Sequence, residues 1–140
     1  MGVKWTDAQL DAINSRDRTM LVCAAAGSGK TATLTERIIR RLTDKTNPSD
    51  ISRMLVVTFT RNAATELREK IYKALSAELE RDPTDKFLSL QLMKLPGARI
   101  STIHSFCFDI VKRNAAKLGL GTSVRIGDTA ENEIRARRVM

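Results

Sequence analysis

The chain has 140 residues, 42% of them apolar and 29% charged, a globular balance that excludes disordered, collagen-like and mucin-like classes and suits one domain or part of one. Lys and Arg outnumber Asp and Glu by 24 to 16, and the net charge of +8 is the electrostatic footprint of a protein that meets phosphate backbones. No apolar stretch approaches the roughly 20 residues that span a bilayer, and Met1-Gly2-Val3-Lys4-Trp5 has no signal-peptide core, so the sequence reads as cytoplasmic with no membrane partner.

In chain order, Thr6 or Asp7 can cap a short helix carrying Ala8, Leu10, Ala12 and Ile13, with Gln9 on another face. Met20-Leu21-Val22-Cys23-Ala24 reads as a buried strand, followed by Leu34, Ile38, Ile39 and Leu42 at helical spacing. Met54-Leu55-Val56-Val57-Thr58 is a second buried strand, ahead of a long helix with Ala64, Leu67, Ile71, Leu75 and Leu79 on one face. Between Pro83 and Pro96, Phe87, Leu88, Leu90, Leu92 and Leu95 suggest a helix or two. A short strand around Arg99-Ile100-Ser101 then precedes a helix with Ile103, Cys107, Ile110 and Val111. Ser123-Val124-Arg125-Ile126 looks like a last short strand, and Asp128-Thr129-Ala130-Glu131 like a capped helix start. Alternating apolar strands and helices predict an α/β fold with a parallel sheet covered on both sides. Cys23 and Cys107 have no C-x-x-C spacing and one histidine to help them, so both are expected as reduced core residues.

The sharpest feature is Ala24-Ala25-Ala26-Gly27-Ser28-Gly29-Lys30-Thr31, set where a strand turns into a helix. It has the form of a P-loop, with Ala24 in place of the usual first glycine. Glycines let the backbone wrap around phosphates with its N–H groups pointing inward, and a helix N-terminus adds partial positive charge. Lys30 would reach the β- and γ-phosphates of ATP, and the Thr31 hydroxyl would hold Mg²⁺. The cradle by itself specifies phosphate binding only, since kinases, GTPases and transporters share it.

Ala-x-x-Gly-Ser-Gly-Lys-Thr, then Val57-Thr58-Phe59-Thr60, then Thr102-Ile103-His104-Ser105-Phe106, together with the upstream Trp5-Thr6-x-x-Gln9, resemble the superfamily 1 helicases of the UvrD type. Asn47-Pro48-x-x-Ile51, Arg53-Met54-Leu55-Val56-Val57 and Arg125-Ile126 are similar to one branch in particular, the AddA helicase/nuclease subunits, which process double-strand DNA ends with an AddB-type partner. The resemblance spans essentially the whole chain. It implies a P-loop NTPase (RecA-like) fold with ATP and Mg²⁺ as cofactors and DNA, as single strands and duplex ends, as partner. It implies that Gln9 reads adenine and that Arg37 packs against the base, alongside the cradle from Ala24, Ala25 and Ala26 through Gly27, Ser28 and Gly29 to Lys30 and Thr31. Phe59 would stack on a DNA base, with Thr58 and Thr60 on phosphates, and Thr102, His104 and Ser105 would line the DNA path. The sequence departs from the common Thr-Phe-Thr-Asn-x-Ala-Ala at Arg61, which stands at the asparagine position and could add a phosphate contact.

A P-loop ATPase also needs a carboxylate pair at the end of a buried strand, and no apolar run here ends in Asp-Glu. Asp109 lies inside a predicted helix and Asp128 reads as a helix cap. In the family the acids, the γ-phosphate-sensing arginine, the second RecA-like domain and the nuclease lie beyond the point where this chain stops. The chain is therefore expected to be the N-terminal part of the first RecA-like domain, with an incomplete core and without hydrolysis, unwinding or nuclease activity of its own. A UvrD-type helicase without nuclease would show the same motifs. A small P-loop phosphotransferase would need an acceptor site and a lid, and nothing here resembles either.

Overall fold

In the computed structural model, residues 4–16, 19–25, 27–121, 124, 125 and 127 are described. They fall into two compact units, Met1–Ile103 and His104–Met140.

The first unit opens with α1 (Asp7–Asn14), whose start is set by a capping box: the Thr6 hydroxyl accepts from the Gln9 backbone N–H at 3.3 Å, and the Thr6 N–H donates to Gln9 Oε1 at 2.9 Å. Helix α2 (Lys30–Thr43) begins directly after Gly29, whose left-handed backbone (φ +84°) turns the chain into the helix without any side-chain cap. A 3₁₀ turn at Ile51–Arg53 leads into β1 (Leu55–Thr58). The long α3 (Arg61–Arg81) is capped by the Thr60 hydroxyl, and α4 (Lys86–Lys94) by the Asp85 carboxylate. A second 3₁₀ turn, Leu95–Gly97, delivers β2 (Arg99–Thr102). Helix α5 (Ile103–Arg113) carries the chain into the second unit, and none of its residues is buried.

Strands β1 and β2 pair in parallel, with Val56 opposite Ile100 and Thr58 opposite Thr102. A parallel pair needs a long crossover, which α3 and α4 supply. Helix α3 turns Ala64, Leu67, Ile71 and Leu75 inward at intervals of three or four residues, and these form one cluster with Val56 and Ile100 of the sheet, Ile38 and Leu42 of α2, and Leu88 of α4. Burying an aliphatic side chain of this size is worth about 1.5–3 kcal/mol, so this cluster is the main stabilising feature of the unit.

The turn ahead of β1 is fastened from α4. Gln91 is fully buried and its Oε1 accepts from the Ile51 N–H at 2.8 Å, while Lys94 Nζ reaches Asp50 Oδ2 at 2.5 Å. Asp50 caps the same turn through the Ser52 N–H and hydroxyl. Two elements forty residues apart are thus locked together where the first strand of the sheet begins.

The expected α/β architecture with a parallel sheet and flanking helices is present, with three corrections, and the helix expected between Pro83 and Pro96 is found. Residues 20–24 form no strand: Leu21 is 87% exposed, and among the described residues this segment meets no neighbouring strand to complete a hydrogen-bond ladder. Strand β1 is covered on one face only. Val56 is buried under α3, whereas Leu55 and Val57, on the other face, are exposed beside Leu34, which is exposed too. Cys23 and Cys107 are free thiols, as expected, but both are exposed rather than core residues, because the segment holding Cys23 is unpaired and α5 buries none of its residues. The stretch from Pro83 to Pro96 resolves into one α-helix and a 3₁₀ turn. The strand expected at Ser123-Val124-Arg125-Ile126 and the helix start at Asp128 lie outside the described residues, fully or in large part.

Candidate functional site

The glycine-rich turn before α2 is shaped by its backbone. Gly27 (φ +78°) and Gly29 (φ +84°) both occupy the left-handed region that side-chain-bearing residues adopt only with strain. Between them Ser28 closes the turn, its N–H and hydroxyl donating to the Ala25 carbonyl at 3.3 and 2.7 Å. Lys30 folds back over the loop, with Nζ donating to the Ala24 and Ala25 carbonyls at 2.5 and 2.7 Å. Thr31 is exposed in the first helical turn. The helix entry thus presents uncapped backbone N–H groups, an ammonium on a long flexible stem and an exposed hydroxyl within one turn, the donor set that suits a polyphosphate. Ala26 lies outside the described residues.

Gln9 is brought to this loop from α1. Its Nε2 donates to the Ser28 carbonyl at 3.3 Å, while its Oε1 serves the capping box with Thr6. Thr6-x-x-Gln9 therefore does two jobs, and its capping-box spacing is the signal in the sequence that marks the first of them. Arg37 donates through one guanidinium nitrogen to the Ala12 carbonyl at the end of α1. Its side chain also borders a cavity of about 370 Å³ lined by Ala12, Met20, Val22, Lys30 and Leu34, beside the cradle. Lys30 and Arg37 thus line one cavity, while Gln9 touches the glycine turn through the Ser28 carbonyl, all within the first unit.

At the carboxyl end of β1 the chain makes a short corner. The Thr58 hydroxyl donates to the Thr60 carbonyl at 2.9 Å, and the Thr60 hydroxyl accepts from the Ala63 N–H at 3.2 Å to cap α3. Phe59, held between these two hydrogen-bonded threonines, is 96% exposed, and Arg61 follows it, also exposed. A ring so fully in water is not a core residue. Thr102 sits opposite Thr58 in the sheet register and is only 8% exposed, packed at the end of β2. His104 and Ser105, in the first turn of α5 within the second unit, are both exposed.

Among the described residues no three His, Cys, Asp or Glu side chains gather as a metal site, and no helix is long and apolar enough to cross a membrane. The first unit thus carries a glycine turn entering a helix and an exposed aromatic corner at the end of a parallel strand. The family model described as the UvrD/REP helicase N-terminal domain matches residues 5–139. The chain belongs to that family. Within the UvrD/REP helicases it is similar to an ATP-dependent helicase/nuclease subunit of Clostridium beijerinckii, 56% identical over 91% of this chain and 10% of that protein. It is 55% identical to the protein of the same name from Thermoanaerobacter sp., over 94% of this chain and 11% of the relative. The Acetivibrio thermocellus counterpart is 49% identical over 94% of the chain and 10% of the relative. This UvrD/REP segment therefore spans about a tenth of the length of the curated relatives it matches.

Proposed function

We propose that this chain is the N-terminal part of the first RecA-like domain of an ATP-dependent DNA helicase/nuclease of the AddA kind, and that it works in the cytoplasm on double-strand break ends with an AddB-type partner. The observation that supports this reading is the glycine turn met by Gln9 and Lys30, with a cavity beside it lined by Lys30 and Arg37, in a chain half identical to helicase/nuclease subunits along nearly its whole length. ATP enters with its triphosphate wrapped by the turn from Ala24, Ala25 and Ala26 to Gly27, Ser28 and Gly29. Lys30 leaves the carbonyls of Ala24 and Ala25 for the β- and γ-phosphates, and the uncapped N–H groups of α2 donate to the same oxygens. Thr31 supplies a hydroxyl to Mg²⁺, which, when bound, neutralises charge on the phosphates. The Gln9 amide pairs with the adenine edge, to which it can both donate and accept, and Arg37 lays its planar guanidinium along the base.

DNA meets the exposed corner after β1. Phe59 offers a ring for base stacking, Thr58, Thr60 and Arg61 lie where a sugar-phosphate backbone would pass, and His104 and Ser105 add polar groups at the start of α5. Stacking ignores base identity, as a translocating motor requires. In this reading hydrolysis, unwinding and DNA cleavage would be assigned to the full-length relatives, of which the chain matches about a tenth. The second reading, a UvrD-type helicase without nuclease, shares every one of these residues and is separated by the length of the parent gene.

A titration with a non-hydrolysable ATP analogue, with and without Mg²⁺, tests the cradle. The 140-residue chain is expected to bind it, and Lys30→Ala to lose at least tenfold in affinity, about 1.4 kcal/mol. DNA-stimulated ATP turnover by the isolated chain would overturn the proposed division of labour.

A further inference from the structure

Helix α1 is short, and only Ala12 and Ile13 of it are buried; neither belongs to the main apolar cluster of the unit. An eight-residue helix with so little buried surface is marginal by itself. Its last turn contains no basic residue, so the carbonyls left over at its C-terminus have no cation from their own helix. The cations come instead from α2. Arg37, Arg40 and Arg41, spaced so as to share one helix face, reach the Ala12 carbonyl, Asn14 Oδ1 at 3.1 Å and the Ser15 carbonyl at 3.0 Å. Arg16, just beyond α1, continues the attachment by pairing with Asp44 at 2.5 Å and donating to the Asn47 carbonyl at 3.0 Å. The buried Nε of Arg41 has no partner among the described residues, so this arginine is kept at the cost of an unpaired donor.

The other end of α1 carries Gln9, whose amide touches the phosphate loop through the Ser28 carbonyl. We infer that Arg40 and Arg41 are positioning residues for base recognition: by clamping the C-terminus of α1 to α2 they hold Gln9 at the cradle and so set the preference for adenine over other bases. This rests on the adenine-reading role proposed for Gln9 above. Neither arginine touches the cradle, so both act through α1. The phosphate-binding groups sit on α2 and its leading turn and do not depend on the clamp.

The test compares calorimetric titrations of the 140-residue chain with ATP, GTP and inorganic tripolyphosphate, for the unaltered chain, Arg41→Met, Arg41→Lys, the pair Arg40→Met with Arg41→Met, and Gln9→Ala. The ATP-to-GTP preference is expected to fall about tenfold in Arg41→Met and in Gln9→Ala, while tripolyphosphate affinity stays within about twofold. Arg41→Lys keeps a charge and a donor and should recover most of the preference, and Gln9→Ala combined with Arg41→Met should lose no more than either alone. Hydrogen exchange supplies the second arm: the amides of α1 should lose protection in Arg41→Met while those of α3 keep theirs. Unchanged α1 protection, an unchanged ATP-to-GTP preference, or an equal fall in tripolyphosphate affinity would each overturn the clamp. An unaltered chain that binds tripolyphosphate yet prefers no base would instead overturn the role of Gln9, and this inference with it.

Discussion

Gln9 and Gly29 share one small space: a Cβ built on Gly29 would stand 3.2 Å from Gln9 Nε2. Gly29 is therefore constrained twice, by its positive φ and by the amide that overlooks the loop, whereas a Cβ on Gly27 would meet nothing within 4 Å. Gly29→Ala should weaken ATP binding more than Gly27→Ala, which carries only the backbone strain of about 1–2 kcal/mol. Adding Gln9→Ala to Gly29→Ala should recover part of the tripolyphosphate affinity by freeing the space. Equal losses from the two glycine variants would show that the amide does not crowd the loop.

Phe59 makes the cleanest separation between stability and function. At 96% exposure its ring contributes almost nothing to packing, so Phe59→Ala should leave the melting temperature unchanged. Affinity for a single-stranded oligonucleotide should fall by about five- to a hundredfold, corresponding to the loss of about 1–3 kcal/mol of stacking. Arg61→Ala should instead reduce the slope of affinity against salt, the signature of a phosphate contact. Binding by Phe59→Ala that equals the unaltered chain would remove the stacking role.

Acid should loosen the attachments around β1 and α1. Lys94 foremost, then the hydroxyl and N–H of Ser52, hold the Asp50 carboxyl down to about 2. The hydroxyl and N–H of Thr46, the Asn47 N–H and then Arg16 do the same for Asp44, also to about 2. Both values lie below the ordinary aspartate range, so these groups add stability that is present above about pH 4 and is lost as pH falls toward 2. Thermal unfolding followed from about pH 5 to pH 2 should show a steep decline, and Asp50→Asn a shallower one from a lower start. Identical pH profiles would mean that the Asp50–Lys94 pair adds nothing.

Gln91 answers a different question, about what secures the entry to the sheet. Its Oε1 serves the Ile51 N–H, but its own Nε2 is buried without a partner among the described residues. Gln91→Ala strands the Ile51 donor and opens a cavity, and should cost about 1–3 kcal/mol in chemical denaturation. Gln91→Leu leaves the same donor unpaired but fills the space and removes the orphaned amide, so it should cost less. A larger loss for leucine than for alanine would show that the space around Gln91 does not accept a branched side chain, and that filling it costs more than leaving it open.

Local chemistry was readable along the chain wherever a few neighbouring residues settle the outcome. The Gly27-Ser28-Gly29 turn needs residues that accept positive φ, Thr60 caps whatever helix follows it, and the stripe from Ala64 to Leu75 must find a core. Residues 20–24 show where such reading stops, because an apolar run becomes a strand only when another strand offers its backbone. No neighbour of that kind occurs among the described residues. Thr102 likewise has the same polar chemistry as Thr58, yet packing buries it. The links from Arg37, Arg40 and Arg41 to α1, and from Gln91 to Ile51, join residues 25 to 40 positions apart. Spacing marks those arginines as one face but cannot say what the face meets. Sequence by itself determined the cradle, the helices and the family; the tertiary structure alone decided which carbonyls those side chains hold, since hydrogen bonds across distant segments exist only after the chain has folded.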